Sequence, residues 1–178
     1  YCTDWDFLVS RAELAGLVVN VDAGQIVTTE PQAGEADLTV SWGSGLLELH
    51  SEVDARKQYS MVRAVSWDPE TQETIVGASA SVDVSSQGNL DGDDLASGVG
   101  NDELLLQTTS MKDEALLDVW AKSQQVKSAL ARYCGRLKLN GDAAALPGAT
   151  IELKDVGERF GGPAYLSAVK HELSEGNW

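Results

Sequence analysis

The sequence predicts an α+β fold: a helix-plus-hairpin unit over residues 1–36, then an antiparallel, barrel-like β domain over 37–178 with a loop and helix inserted at about 83–134. Three observations predict it. An apolar stripe at helical spacing opens the chain, at Trp5, Leu8, Val9 and Ala12. Strand-like runs broken by Gly and Pro turns recur through the middle and the end. A second helical stripe, about six turns long, interrupts them.

The elements follow in order. Thr3 and Asp6 form the pattern of a capping box, with Asp in place of the usual Glu or Gln. Gly16 stands where a helix stop belongs. Residues 17–21 and 25–29 flank Asp22, Ala23 and Gly24 as a short hairpin, and 31–36 is the linker out of it. Residues 38–42 read as a strand, broken by Gly43, Ser44 and Gly45. Met61, Val65 and Trp67 then share one face of an extended segment, with Val62 and Ala64 on the other. Pro69 sits at the second position of a turn over 68–71, and 74–80 returns as the partner strand. Apolar residues on both faces imply a barrel or sandwich wall.

Residues 83–102 form a polar, Gly- and Asp-rich loop, expected to be mobile. Ser110 and Asp113 resemble a helix cap, and Leu116, Val119, Trp120, Ser123, Val126, Leu130 and Tyr133 the apolar stripe behind it, with Gly135 as the stop. Strands at 136–139, 150–153 and 165–173 complete the set, the last two joined by a corner holding Gly157, Gly161 and Gly162. Trp5, Trp42, Trp67 and Trp120 fall on apolar faces and are expected in the core.

Composition narrows the function. At 178 residues, 43% hydrophobic and 23% charged, the chain suits a globular domain that needs neither disulfide nor metal to fold. No apolar run approaches the ~20 residues of a membrane span. The net charge of −15 argues against nucleic acid and anionic membranes, both of which select Lys and Arg. Cys2 and Cys134, far apart, read as two isolated thiols in a reduced compartment, with a disulfide between them as the alternative.

No catalytic, cofactor-binding or metal-ligating residue is assigned. Asn89, Asp91, Asp93 and Asp94 hint at calcium, but an EF-hand register would put Gly where Asp94 stands and Glu where Gly100 stands. His50 and His171 lie in no nucleophile or zinc motif, and a structural hydrogen bond is expected for His171. Asp4 and Asp6 are explained by helix capping, which leaves glycoside hydrolysis without support. Gly157, Gly161 and Gly162 lie between strands, not in the strand-to-helix turn that cradles a dinucleotide.

Three segments carry a resemblance that spans nearly the whole chain. The first is Asp4 to Leu8 after a Thr, with Arg11, Glu13, Gly16 and Leu17; the second is Gln58 and Tyr59 through Trp67, Asp68 and Pro69, with Gln72; the third is Pro147 and Gly148 through Glu172. Together they resemble the hub domain of the Vgr-type spike proteins of contractile injection systems and of the phage late-control D tail-hub proteins. The resemblance implies a structural, non-enzymatic hub fragment. It implies a homotrimer in the full-length protein that adapts a six-fold inner tube to a three-fold spike. The implied partners are the tube protein and the baseplate and spike-tip proteins, with no nucleic acid and no membrane insertion by this fragment. It also implies assembly in the bacterial cytoplasm, as part of a phage-tail-like particle that can be released from the cell. A first hub barrel upstream and a spike downstream are expected outside this sequence. The alternatives are a particle-delivered hydrolase and a carbohydrate-binding β domain, the latter favoured by exposed tryptophans.

Overall fold

A computed structural model describes residues 1–22, 24–31, 35–79, 82, 87–110 and 113–173. Among them the elements run α1 (Asp4–Leu14), β1 (Val18–Asp22), β2 (Gln25–Thr29), β3 (Leu38–Trp42), β4 (Gly45–Val53), β5 (Met61–Asp68) and β6 (Glu73–Ala78). There follow α2 (Gly92–Val99), β7 (Glu103–Thr108), α3 (Glu114–Leu130), β8 (Tyr133–Leu139), β9 (Thr150–Lys154) and β10 (Gly162–Tyr165). The fold is α+β, as the sequence predicts. The chain divides into two compact units: Tyr1–Pro31 with Ala55–Asp83 and Asp91–Arg132, and Gln32–Asp54 with Val84–Leu90 and Tyr133–Trp178.

In the first unit α1 begins at a complete capping box. Asp6 N–H donates to Thr3 Oγ1 at 3.1 Å, and Thr3 N–H donates back to Asp6 Oδ2 at 3.3 Å. The antiparallel β1–β2 hairpin follows, in register from Val18 with Thr29 to Asp22 with Gln25; Ala23 in its turn lies outside the described residues. A three-stranded sheet, ordered β6-β5-β7, pairs β5 antiparallel to β6 and parallel to β7. Period-two alternation turns Val62, Ala64 and Ser66 of β5 to one buried face. On that face Val62 and Ala64 meet Leu117 and Ala121 of α3, all fully buried, with Tyr59, Ile75, Leu104, Leu106 and Trp120 packed around them. α3 lies so close to β6 that a Cβ on Gly77 would come 2.6 Å from Leu117 Cβ, which is why no side chain is tolerated there. Buried polar groups tie α3 to the strap before β5: Gln58 Nε2 donates to Ser128 O, Gln125 Nε2 to Tyr59 O, and Ser128 Oγ to Lys57 O, at 2.7–2.8 Å.

The second unit is a five-stranded sheet ordered β10-β9-β3-β4-β8. β3 runs parallel to β9, placing Leu38 beside Ile151 and Val40 beside Leu153, while β4 and β8 pair antiparallel over nearly their whole length. Val40, Leu46, Ile151 and Leu153 form the core, closed by Leu38, Leu49, Leu137, Leu139, Val156, Ala164 and Leu166.

Several expectations need correction. The stretch 83–102 is not loop throughout: α2 occupies its second half, capped by Asp91, whose side chain accepts from Asp93 N–H, and closed by Gly100 in the left-handed region. Residues 83–86 of that stretch lie outside the described residues, as do 32–34 of the expected linker. Gly135 does not stop the helix; α3 ends at Leu130, and Gly135 sits inside β8. A Cβ there would lie 2.2 Å from His50 O, so the glycine answers a close strand–strand approach. The buried residues of α3 are Leu117, Ala121, Ser123, Gln125, Val126 and Ser128; of the expected stripe Ser123 and Val126 are therefore buried and Trp120 half-buried, whereas Leu116 and Val119 are exposed. The last strand ends at Tyr165 instead of running over 165–173. Strands β4 and β7 were not expected.

Candidate assembly surface

Outer faces of the two larger sheets differ in chemistry. On the five-stranded sheet, alternation sends Thr39, Ser41, Glu48, His50, Glu52, Arg136, Lys138, Glu152 and Lys154 away from the apolar cluster. Glu48 faces Lys138 across the strands at 3.8 Å. The set is one suited to water, with Leu47, 50% exposed at the register shift between Leu46 and Glu48, as an apolar exception on β4.

On the three-stranded sheet the opposite face carries Met61, Arg63, Val65 and Trp67 from β5, Thr74, Val76 and Ala78 from β6, and Glu103, Leu105 and Gln107 from β7. Val65 lies directly opposite Val76, Trp67 opposite Thr74, and Leu105 beside Arg63. Trp67 is 49% exposed, Val76 44% and Leu105 49%. The lone cation of these strands, Arg63, is engaged with Glu103, Nε to Oε1, at 3.0 Å. A sheet face that is both open and apolar at its centre is the signature of a contact surface.

The tryptophans expected in the core behave accordingly. Trp120 is half-buried against the α3–β5 cluster. Trp5, Trp42 and Trp67 are instead 46%, 57% and 49% exposed, a correction. The β1–β2 hairpin adds Val21, Ile26 and Val27, all exposed. A two-stranded ribbon of this kind is marginal alone, and β1 leans on α1.

Other candidate chemistry disperses. Among the described residues no three His, Cys, Asp or Glu side chains gather as a metal site. Asp91, Asp93 and Asp94 serve the α2 N-terminus. His171 Nε2 lies 3.2 Å from Ala145 O, a structural bond of the expected kind, although no strand ends there. His50 is exposed on β4, opposite Arg136. Cys2 and Cys134 form no disulfide, and burial, then Asp54 and Glu52, push the Cys134 thiol up from its usual pKa. A shallow depression of about 290 Å³ is lined by Trp42, Leu49, Asp155 and Val156. No helix among the described residues is long and apolar enough to cross a membrane.

The model of the Alg8 N-terminal domain family matches residues 1–175. The chain belongs to that family. By sequence, no curated protein matches it. Solved structures share its fold, among them two tail proteins. The 43 kDa tail protein of prophage MuSo2 from Shewanella oneidensis superposes with a TM-score of 0.58 at 12% identity, over 91% of this chain and 46% of that one. The tail protein from Neisseria meningitidis MC58 gives 0.59 at 15% identity, over 91% and 47%. This member of the Alg8 N-terminal domain family therefore spans about half the length of these tail proteins. At such identities the likeness is one of fold.

The open sheet face could have been suspected from the sequence. Met61, Val65 and Trp67 alternate with Val62 and Ala64, so both faces of β5 are apolar and only one has a helix to cover it.

Proposed function

We propose that the chain is a structural part of a phage-like tail or contractile injection particle, at the hub where an inner tube meets a spike. The observation that carries this reading is a tail-protein fold extending over 91% of the chain. The Vgr and late-control D resemblance narrows the place to the hub, in a homotrimer whose barrels dock the tube and whose far end carries the spike. In that role the chain holds a geometry and performs no chemistry; an apolar face left open in the isolated chain is what such a part requires.

Sedimenting tail-like particles from the host and measuring their proteins by mass spectrometry tests it. The reading expects the parent protein in the pellet at a few copies against many copies of tube protein. A parent protein that stays in the supernatant while particles pellet without it overturns the reading.

A carbohydrate-binding role is the second reading, favoured by Trp42, which stands 57% exposed beside Asp155 over an open depression. Quenching of Trp42 fluorescence by cell-wall oligosaccharides, lost in Trp42→Ala, would support it.

A further inference from the structure

A strand edge dictates what completes it, because a row of outward backbone N–H and C=O groups is satisfied by another strand. Each of the two larger sheets ends in two edge strands, β10 and β8 in one, β6 and β7 in the other. Three of these edges carry a guard. β10 is four residues long and contains Pro163. β8 carries Arg136 and Lys138. On β6 the outward Ala78 N–H donates to Asp118 Oδ1 of α3 at 3.0 Å. β7 carries no guard: its six residues, Glu103–Thr108, include no Pro, Gly, Lys or Arg, and its register with β5 runs unbroken. Met61 N–H donates to Asp102 O at 3.1 Å, which fixes the phase of that parallel ladder. Leu104, Leu106 and Thr108 therefore turn their backbone groups to β5, whereas Glu103, Leu105 and Gln107 turn theirs to the edge. Among the described residues no hydrogen bond reaches these outward backbone groups.

Around Leu105 the sequence reads the same in both directions but for one exchange: Glu103, Leu104, Leu105, Leu106, Gln107. From this self-complementarity we infer that the β7 edge pairs with β7 of a second copy of this chain, antiparallel about a two-fold axis at Leu105. The phase of the ladder suits that register. Glu103 and Gln107 of opposite copies form hydrogen-bonded pairs, as do the two Leu105 residues, so every outward N–H and C=O of these residues finds a partner. Leu104 stands opposite Leu106, and Leu105, 49% exposed in the single chain, is covered by its own counterpart. Glu103 meets an uncharged amide there and keeps its ion pair with Arg63. Slipping the register by two residues leaves outward groups unpaired, and slipping until Glu103 meets Glu103 opposes like charges. The contact is isologous and joins two three-stranded sheets into one. It concerns the chain on its own and does not rest on the tail reading.

The test uses the full chain at about 0.15 M salt, where repulsion between exposed charges is screened beyond about 8 Å. Sedimentation equilibrium is expected to show monomer and dimer with a Kd of roughly 0.1–1 mM, as suits so small a contact. On concentrating the protein, amide exchange followed by NMR should slow at Glu103, Leu105 and Gln107. It should not change at Leu104, Leu106 and Thr108, which already donate to β5. Leu105→Pro removes an outward N–H without touching the β5 ladder, and is expected to abolish the dimer while the other amides stay native. Gln107→Glu sets carboxylates opposite each other across the axis and should weaken association about three- to tenfold, whereas Gln107→Lys should strengthen it by as much. A chain that stays monomeric at ~1 mM overturns the inference. So does a dimer that survives Leu105→Pro, or one on which Gln107→Glu and Gln107→Lys act alike. Slowed exchange that appears only with a foreign peptide or in a tail particle overturns it too, because the occupant is then another protein. Particle sedimentation keeps the two ideas separable. A chain that dimerises through β7 but stays out of particles keeps this edge and loses the tail reading; a chain found in particles that never dimerises alone does the reverse.

Discussion

The two larger sheets of this chain begin from the same alternating pattern and end differently. In the five-stranded sheet, alternation buries Val40, Leu46, Ile151 and Leu153 and turns Thr39, Ser41, Glu48, Glu152 and Lys154 outward. In the three-stranded sheet, Val62 and Ala64 are buried under α3, yet the outward set still contains Met61, Val65, Trp67, Val76 and Leu105. The first sheet keeps Trp42 and Leu47 exposed on β3 and β4 but turns a mostly charged and hydroxyl-bearing set outward, whereas the second leaves Trp67, Val76 and Leu105 exposed together on one face. The difference singles out the three-stranded sheet as the candidate contact surface of the chain.

The comparison breaks most easily in the cores. Ile151→Ala and Leu117→Ala remove fully buried side chains from the two clusters, and each should cost about 2–5 kcal/mol. Urea unfolding with probes in each unit checks this, and a loss below about 1 kcal/mol at either site would mean that the core is misplaced. Next comes Gly135→Ala, where the new Cβ would meet His50 O at 2.2 Å in the β4–β8 ladder. The strands must part to admit it, at a cost of about 1–3 kcal/mol. An unchanged melting curve would show that this ladder is looser than described.

How much of this was legible follows from the range of the forces involved. α1 and its capping box are local, set by Thr3, Asp6 and an apolar stripe, and were readable. So were the hairpin and the β5–β6 turn, where Asp68 Oδ1 accepts from Glu70 N–H at 2.9 Å. β7 went unread because Leu104, Leu105 and Leu106 become a strand only through parallel pairing with β5, a partner some forty residues away. β4 was obscured by a register shift between Leu46 and Glu48, which breaks simple alternation. The α3 stripe is legible at Ser123 and Val126 but not at Leu116 and Val119, because apolar residues occupy two faces of that helix and only contact with Val62 and Ala64 decides which is buried. For the same reason Trp67 reads as core: an apolar strand face looks identical in sequence whether its partner lies in the same chain or in another.

Smaller effects sharpen the contrast. Trp67→Ala should cost less than about 1 kcal/mol in the isolated chain, where a fully buried tryptophan would cost about 3–5. The same change should strongly impair incorporation into particles. A large loss of stability would show the face to be covered within the chain. On the polar sheet, Cys134 stands opposite Glu52, and partial burial with Asp54 and Glu52 nearby disfavours its thiolate. Its alkylation should therefore rise only at higher pH than that of an ordinary cysteine, and Glu52→Gln should move the profile slightly toward lower pH. A profile at or below the ordinary thiol range would contradict that environment.

The most direct test of the central claim is hydroxyl-radical footprinting of the protein free and within sedimented tail particles. The account predicts that Trp67, Val76 and Leu105 lose reactivity in the particle while Glu48, Lys138 and Lys154 keep more of theirs. Unchanged labelling of the apolar face, or protection confined to the polar one, would contradict it.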